Sequence, residues 1–511
     1  MTPESHVRLN GSTRGEEPDV PHVGDVDSAS PIELTVTVRP EDFAHASEEA
    51  KRVLGQFGLS VEEAYPATGS LVVSGSAAQI EDAFRVGLGL YDHGPDGILR
   101  GRKGEIHIPA DLDGVVTGVF GLDQRRVARR LTGPGDSPPG PSPLRPEELE
   151  QRYSFPEGHG KGQTIAIAEF GGGYFPEDIR SFCEAHGRTA PEIEVVSVGA
   201  VPLSPAEITA AVAQQQQPLV GESHEVTMDV EIVAGFCPDA KIRLFFATFD
   251  EKGWIDLLDR VVAEDPAPVS LSVSWGLAED SAKWSPAAVD AINQRLQAAA
   301  RRGITVCAAA GDNGCGDQMQ DERAHAHFPA SSPYVLAVGG TMLEGEEEVV
   351  WWDCPGDDSD PQKYPRGGST GGGVSQRFKR PEWQNVNVRS LSPGGFDGRI
   401  VPDVAALAGL PGYSIVFQGQ PRMNGGTSAS APLWAALVAR IAGAAQGFLA
   451  PLLYGEGADG RVRGVSGCKD IITGNNRTPK PGFGYEAAKG FDAVTGWGVP
   501  NGRALLASLR K

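Results

Sequence analysis

Residues 223–236 read SHEVTMDVEIVAGF. The first letters approach HExxH, in which two histidines one helical turn apart hold zinc and the glutamate acts as base. His224 and Glu225 fit, but Met228 stands where the second histidine is needed, which excludes a zinc peptidase of this type. What remains is a pair of carboxylates, Glu225 and Asp229, four residues apart and therefore on one face of a helix. Carboxylates this close raise one member's proton affinity and favour a shared proton. A solvated acidic helix face has the same spacing. The flanking Val226, Val230, Ile232, Val233 and Phe236 point instead to a buried helix.

A nucleophile for such a pair is offered by NGGTSASAPLWAALVARIAGAAQG, residues 424–447. A Gly-Gly turn leads through Thr427 and Ser428 into an apolar helix, with Pro432 expected in the first turn, where a missing N–H costs nothing. A serine at a helix start has its hydroxyl near free N–H groups and the positive end of the dipole, which suits attack that generates an oxyanion. An N-cap serine occupies the same place. The usual base is histidine, yet all 10 histidines precede residue 330 and none opens a Gly-rich helix. An α/β-hydrolase esterase needs GxSxG and a late histidine, and neither is present. Two further carboxylates follow apolar strands: Glu169 after TIAIA and Asp312 after ITVCAAAG, where a turn role is also open.

These side chains need a scaffold. From about residue 147 onward, GQTIAIAEF, EIEVVSV, KIRLFFAT, APVSLSVSW, ITVCAAAG and YVLAVGG are apolar runs without polar alternation, as in strands buried on both faces. Helical segments lie between them, which predicts a parallel sheet covered by helices with chemistry at the carboxyl ends of the strands. Earlier in the chain, residues 31–126 read as a small α+β unit containing PIELTVTV, EDFAHASEEAKRVLGQFG and SLVVSG. Residues 1–30 are polar and read as a disordered tail. Residues 127–146 read as a basic, Pro-rich connector, the kind of segment that proteases nick.

With 511 residues the chain holds at least two domains. Its net charge of −22 disfavours nucleic acid and anionic lipid as partners. No apolar run reaches the ~18–20 residues of a membrane span, and the first 20 residues lack the apolar core of a standard signal peptide. The six cysteines form no zinc pattern, and Cys237 and Cys307 sit in apolar runs as small hydrophobes.

Taken together, YSFPEGHGKGQTIAIAEFGGGYF, EVTMDVEIVAGFCPDAKI, VSLSVSWG, AAAGDNG, HFPASSPYVLAVGGT, STGGGVS, VPDVA and GGTSASAP resemble the sedolisin family of serine-carboxyl peptidases, in its kumamolisin-type branch. The resemblance implies a subtilisin-like α/β fold, a parallel sheet flanked by helices, preceded by an α+β prodomain that inhibits the enzyme until it is removed within the connector. It implies Ser428 as nucleophile, Glu225 as general base and acid, Asp229 as its partner, and a protonated Asp312 as oxyanion donor. Glu169 and Trp275 match an outer hydrogen-bonded shell. It also implies one structural Ca2+, held by the carboxylates of Asp470 and Asp492 and the carbonyls of Ile471, Ala488 and Gly490, an oxygen set that suits a hard cation. The implied activity is acid endopeptidase action on proteins and peptides by a secreted monomer. A tripeptidyl-peptidase, or a silent binding protein or permanently inhibited zymogen on the same fold, are the other readings. The chain departs from the family pattern at His327, where kumamolisin-type members carry an aspartate near the substrate subsites.

Overall fold

The computed structural model describes residues 5–15, 17–130, 142–319, 321–353, 368–443, 447–479 and 481–510. Most of the Pro-rich connector, residues 131–141, lies outside the described residues.

Met1–Ala128, Ala247–Asp265 and Ser281–Ala298 form one compact unit. Its strands are β1 (His6–Arg8), β2 (His22–Asp25), β3 (Pro31–Val38), β4 (Ser60–Tyr65), β5 (Ser70–Ser76), β6 (Gly87–Asp92), β7 (Ile98–Lys103), β8 (His107–Pro109) and β9 (Val116–Phe120). An antiparallel sheet of order β4-β5-β3-β9 forms the centre. Leu34, Val36 and Val38 alternate along β3 and bury against the helices Phe43–Gln56 and Ala77–Phe84. The second helix opens with a capping box between Ser76 and Gln79, which satisfies two N–H groups at its start. The opposite face is covered as well. Thr35 and Thr37 are buried, and the Thr35 hydroxyl donates to Asp256 Oδ1 at 2.5 Å from the helix Glu251–Ala263. Beneath lies a buried ion pair, Arg295 Nε to Asp259 Oδ1 at 2.9 Å, with Arg295 also donating to the Ser70 hydroxyl.

The described residues between 5 and 30 correct the expectation of a disordered tail. β1 pairs with β8 and β2 with β6, Leu9 joins the core, and Arg14 is ion-paired with Asp123 at 3.2 Å. Composition failed here because the segment makes no core of its own; it borrows sheet edges and a buried carboxylate from residues further along the chain.

Arg129–Phe246, Pro266–Asp280 and Ala299–Lys511 form the second unit. Its strands are β10 (Arg129–Arg130), β11 (Thr164–Glu169), β12 (Glu192–Val198), β13 (Lys241–Ala247), β14 (Ser270–Val273), β15 (Trp275–Ala278), β16 (Thr305–Ala309), β17 (His327–Phe328), β18 (Leu336–Glu344) and β19 (Glu347–Val350). The main sheet runs β12-β13-β11-β14-β16-β18-β19, with Val404–Leu407 added in parallel to β18. β13, β11, β14, β16 and β18 are mutually parallel, as their unalternating apolar runs predict. Register sets Ala168 beside Val273 and Val273 beside Ala308, so three strand ends meet. β15 leaves that level to pair antiparallel with β10 on one edge and β17 on the other. The connector therefore begins as a strand, with Val127 and Ala128 buried before it, and the helix Pro146–Arg152 starts at its far boundary.

Removing the cation of the Arg295–Asp259 pair leaves an uncompensated buried carboxylate. Arg295→Ala is expected to destabilise its unit by about 3–5 kcal/mol, whereas an Arg295→Met/Asp259→Leu double variant stays near wild type. Thermal unfolding of the full chain checks this; equal loss in both variants contradicts it.

Candidate active site

Glu169 is the last residue of β11, Ser274 joins β14 to β15, and Asp312 lies three residues beyond β16. The helix Gln217–Phe236 brings Glu225 and Asp229, and the helix Thr427–Ile441 brings Ser428 as its second residue. Glu169, Glu225, Asp229, Ser274 and Ser428 are all 0% exposed. The first helix is buried on nearly every side, so its carboxylates are not a solvated face. His224 stacks on Phe417 with ring centroids 3.8 Å apart and Met228 is a core residue; among the described residues no cluster of His, Cys, Asp and Glu suited to a metal ion includes His224.

Ser428 follows Gly426, whose φ of 91° is open to glycine without strain and sets the chain into the helix. Its Oγ donates to the Ser274 carbonyl at 3.3 Å. Pro432 does not lie in the first turn as expected: the helix begins at Thr427, so Pro432 is inside it. Its missing N–H is the one that would bond the Ser428 carbonyl. The Ser274 hydroxyl lies 3.2 Å from that carbonyl and 2.6 Å from Asp229 Oδ2.

Trp275 Nε1 donates to Glu169 Oε2 at 3.0 Å. Burial, then the negative charges of Asp229 and Glu225, raise the Glu169 carboxyl well above its usual range, against the lowering effect of the Trp275 bond. Burial likewise raises Asp229 well above its usual range, opposed by Ser274. Across the site, Asp312 Oδ1 accepts from the Thr427 N–H at 2.9 Å and the Thr427 hydroxyl at 2.6 Å. The N–H of Gly311 in turn donates to Thr427 Oγ1 at 3.2 Å.

All six expected site residues thus lie around the same strand ends. Ser274 and Thr427 were the ones sequence reasoning did not single out for a role. Their signal was adjacency, one preceding Trp275 and the other Ser428, and it names no partner. His327 is buried with Nδ1 3.0 Å from Asp317 Oδ2. A Cβ at Gly276 would lie 2.6 Å from its Nε2 and one at Gly311 3.1 Å from its Nδ1, so the ring fills the space between two glycines.

Asp470 and the 488–495 loop also meet. Gly490 N–H donates to Asp470 Oδ2 at 2.8 Å, and Ala488 N–H donates to Asp492 Oδ2 at 3.0 Å. Asp492 Oδ1 accepts from the N–H groups of Val494 and Thr495 at 3.0 and 2.8 Å. Ala488 is not among the non-glycine residues with positive φ, so it stands in the loop without that strain.

A serine at the head of a helix, on the carboxyl ends of a parallel sheet and backed by buried acids, defines a serine peptidase of subtilisin-like fold. The Subtilase family profile matches residues 209–452, and that of the pro-kumamolisin activation domain matches residues 44–125. Kumamolisin of Bacillus sp. (strain MN-32) is 39% identical over 493 residues, covering 92% of this chain and 83% of that protein. Tripeptidyl-peptidase sed5 of Aspergillus fumigatus is 27% identical, covering 98% of this chain and 97% of its own length. The structure of Pseudomonas sedolisin, a serine-carboxyl proteinase complexed with two molecules of pseudo-iodotyrostatin, superposes with a TM-score of 0.59 at 26% identity, covering 72% of this chain and 97% of that one. The chain belongs to the sedolisin family of serine-carboxyl peptidases, in its kumamolisin-type branch, and carries its activation domain.

The buried acids make a pH-dependent contribution to stability. Glu231, on the same helix as Asp229, is also raised well above its usual range by burial. Groups with raised folded values stabilise fully below the unfolded value, about 4.3 for glutamate, and that contribution is lost as pH rises through the folded value. In a Ser428→Ala background, Tm is expected to fall from about pH 4 to about pH 8, and Glu231→Gln to flatten the fall. A Tm that rises over that range contradicts the assignment.

Proposed function

We propose that the protein is an acid-acting endopeptidase whose acyl-enzyme forms on Ser428. The observation that carries this reading is the junction at Ser274, which joins the helix-borne serine to a buried carboxylate array at 2.6 and 3.3 Å. Glu225 takes the Ser428 proton as Oγ attacks the scissile carbonyl, then returns it to the leaving amine; Asp229 orients Glu225. Water repeats the sequence to release the acyl group. Asp312 stays protonated and donates to the oxyanion. With Oδ1 occupied by two donors from Thr427, its proton belongs on Oδ2. Glu169 and Trp275 hold the outer end of the array. A carboxylate base and a protonated oxyanion donor both favour acid, since a free imidazole near pKa ~6.5 would be charged at pH ~4. The near full-length match to a protein named tripeptidyl-peptidase favours a second reading, release of N-terminal tripeptides. Hydrolysis of an N-terminally blocked peptide separates the two.

We place processing just C-terminal to Arg130. β10 lies antiparallel on the edge of β15, Arg130 opposite Trp275, as a peptide substrate adding as a strand would. Shifted from neutral pH to pH ~4, the wild-type chain is expected to lose ~15 kDa, the mass of ~130–140 residues, while Ser428→Ala and Glu225→Ala stay intact. Identical behaviour of all three favours a silent binding protein. The enzyme is read as a secreted monomer on family likeness; among the described residues no helix is long and apolar enough to cross a membrane.

Asp470, Asp492 and the carbonyls of Ile471, Ala488 and Gly490 suit one Ca2+. The set is all oxygen, and N–H groups of the loop already orient both carboxylates. Calcium bound there would tie the 470 and 488–492 segments together. Chelation is expected to lower Tm of the Ser428→Ala chain, and Asp470→Asn/Asp492→Asn to abolish the response. Equal Tm with and without chelator removes the assignment.

A further inference from the structure

Residues 9–15 lie ahead of the stretch that matches the activation-domain profile, yet they are pinned on two sides within one compact unit. On one side is the prodomain. The Leu9 N–H donates to the Ile106 carbonyl at 2.8 Å, and Arg125 Nη1 donates to the Gly15 carbonyl at 2.8 Å. On the other side are the starts of the helices Glu251–Ala263 and Pro286–Arg301. The Ala287 N–H donates to the Gly11 carbonyl and the Gly15 N–H to the Ala282 carbonyl, both at 2.9 Å. A cut in the connector leaves residues 9–15 on one fragment and both helices on the other.

Arg14 is the buried centre of this contact, its side chain 2% exposed. Its Nε donates to the Lys283 carbonyl at 3.0 Å and its Nη2 to the Arg125 carbonyl at 3.3 Å. Its charge faces one carboxylate from each fragment, Asp123 at 3.2 Å and Glu251 at 3.7 Å. Asp123 also pairs with Arg125 at 2.6 Å, on its own fragment. Glu251 in turn accepts from the Ser285 N–H at 2.7 Å, at the start of the second helix. Close backbone approach completes the contact. A Cβ at Gly15 would lie 2.8 Å from Ala282 Cβ, and one at Gly11, whose φ is 75°, 3.3 Å from the Ala287 nitrogen. Glycine at both positions lets the two backbones meet.

We propose that residues 9–15 are a clasp, a second hold of the prodomain on the enzyme that keeps the two associated after the connector is cut. The two holds use different groups. The prodomain sheet meets Asp256 and Arg295 in the bodies of the helices through Thr35 and Ser70, whereas the clasp meets Glu251 and residues 282–287 at their starts. Hydrolysis of one peptide bond in the connector breaks none of these contacts. Release of the prodomain therefore requires parting a buried ionic group and two backbone hydrogen bonds in addition to the sheet face. The proposal rests on processing within the connector.

The test uses the full chain carrying Ser428→Ala and a recognition sequence for an added protease within residues 131–141. After nicking, dissociation of the two fragments is measured at neutral pH by size exclusion over a dilution series, with thermal melts of the uncut chains to confirm folding. Arg14→Met is expected to raise Kd about thirtyfold or more, because Glu251 is left buried without the Arg14 charge. Adding Glu251→Gln, which keeps the acceptor for Ser285, returns most of that loss. Gly15→Val and Ala282→Phe, one on each fragment, each raise Kd about tenfold by parting the two backbones. If Arg14→Met does not fold, Ala282→Phe carries the test, since Ala282 stands in an exposed turn. Parent fragments that separate as soon as they are nicked, or variants all within about twofold of the parent, overturn the proposal. A wild-type chain that neither cleaves itself nor hydrolyses peptide at pH ~4 removes the proposed function alone, because the clasp is measured without Ser428.

Discussion

The constraint on which the site depends is the burial of carboxyl groups beside one another. Glu169, Glu225 and Asp229 have no solvent exposure, and isolated charges there would be costly by many kcal/mol. Such groups persist either by pairing with cations or by holding protons. Among the described residues this protein uses cations elsewhere, as in Arg295–Asp259 and Arg399–Asp403, but meets Glu169 with an indole N–H and Asp229 with a hydroxyl. Neutral donors leave the proton on the acids. That choice sets the response to pH: buried acids of raised proton affinity stay neutral where exposed carboxylates are already ionised.

The fold supplies such an array because parallel strands end at one level. Glu169, Ser274 and Asp312 come from three neighbouring strands, and two helices add the remaining side chains. β15 then departs from the sheet, leaving an edge on each side. β17 fills one edge and β10 the other. The start of the connector therefore takes up main-chain groups on one edge of β15 that an exposed edge would leave unpaired.

Much of this was legible in the residues. The unalternating runs announced buried parallel strands, the four-residue step announced two carboxylates on one face, and Gly-Gly-Thr-Ser before an apolar run announced a helix start. Local periodicity carries that information because each signal is complete within one element. The errors arose where one element depends on another. Residues 6–25 look too polar to fold, yet they pair with β8 and β6. Pro432 looks like a first-turn proline, yet the helix starts at Thr427 and the proline stands inside it. Ser274 itself looks like a strand serine.

By itself, the order of residues determined the strands, the serine helix, the paired carboxylates and the family to which their motifs belong. These are short-range properties: periodicity, turn chemistry and spacing along one helix. Tertiary structure alone decided that Ser274, 45 residues from Asp229 and 154 from Ser428, stands between them. It also decided that Thr427 places two donors on one oxygen of Asp312, and that an imidazole from residue 327 fills the space between Gly276 and Gly311. The physical reason is that a hydrogen bond requires groups remote in the chain to be placed to within a few tenths of an ångström. Only packing of the finished sheet sets those distances.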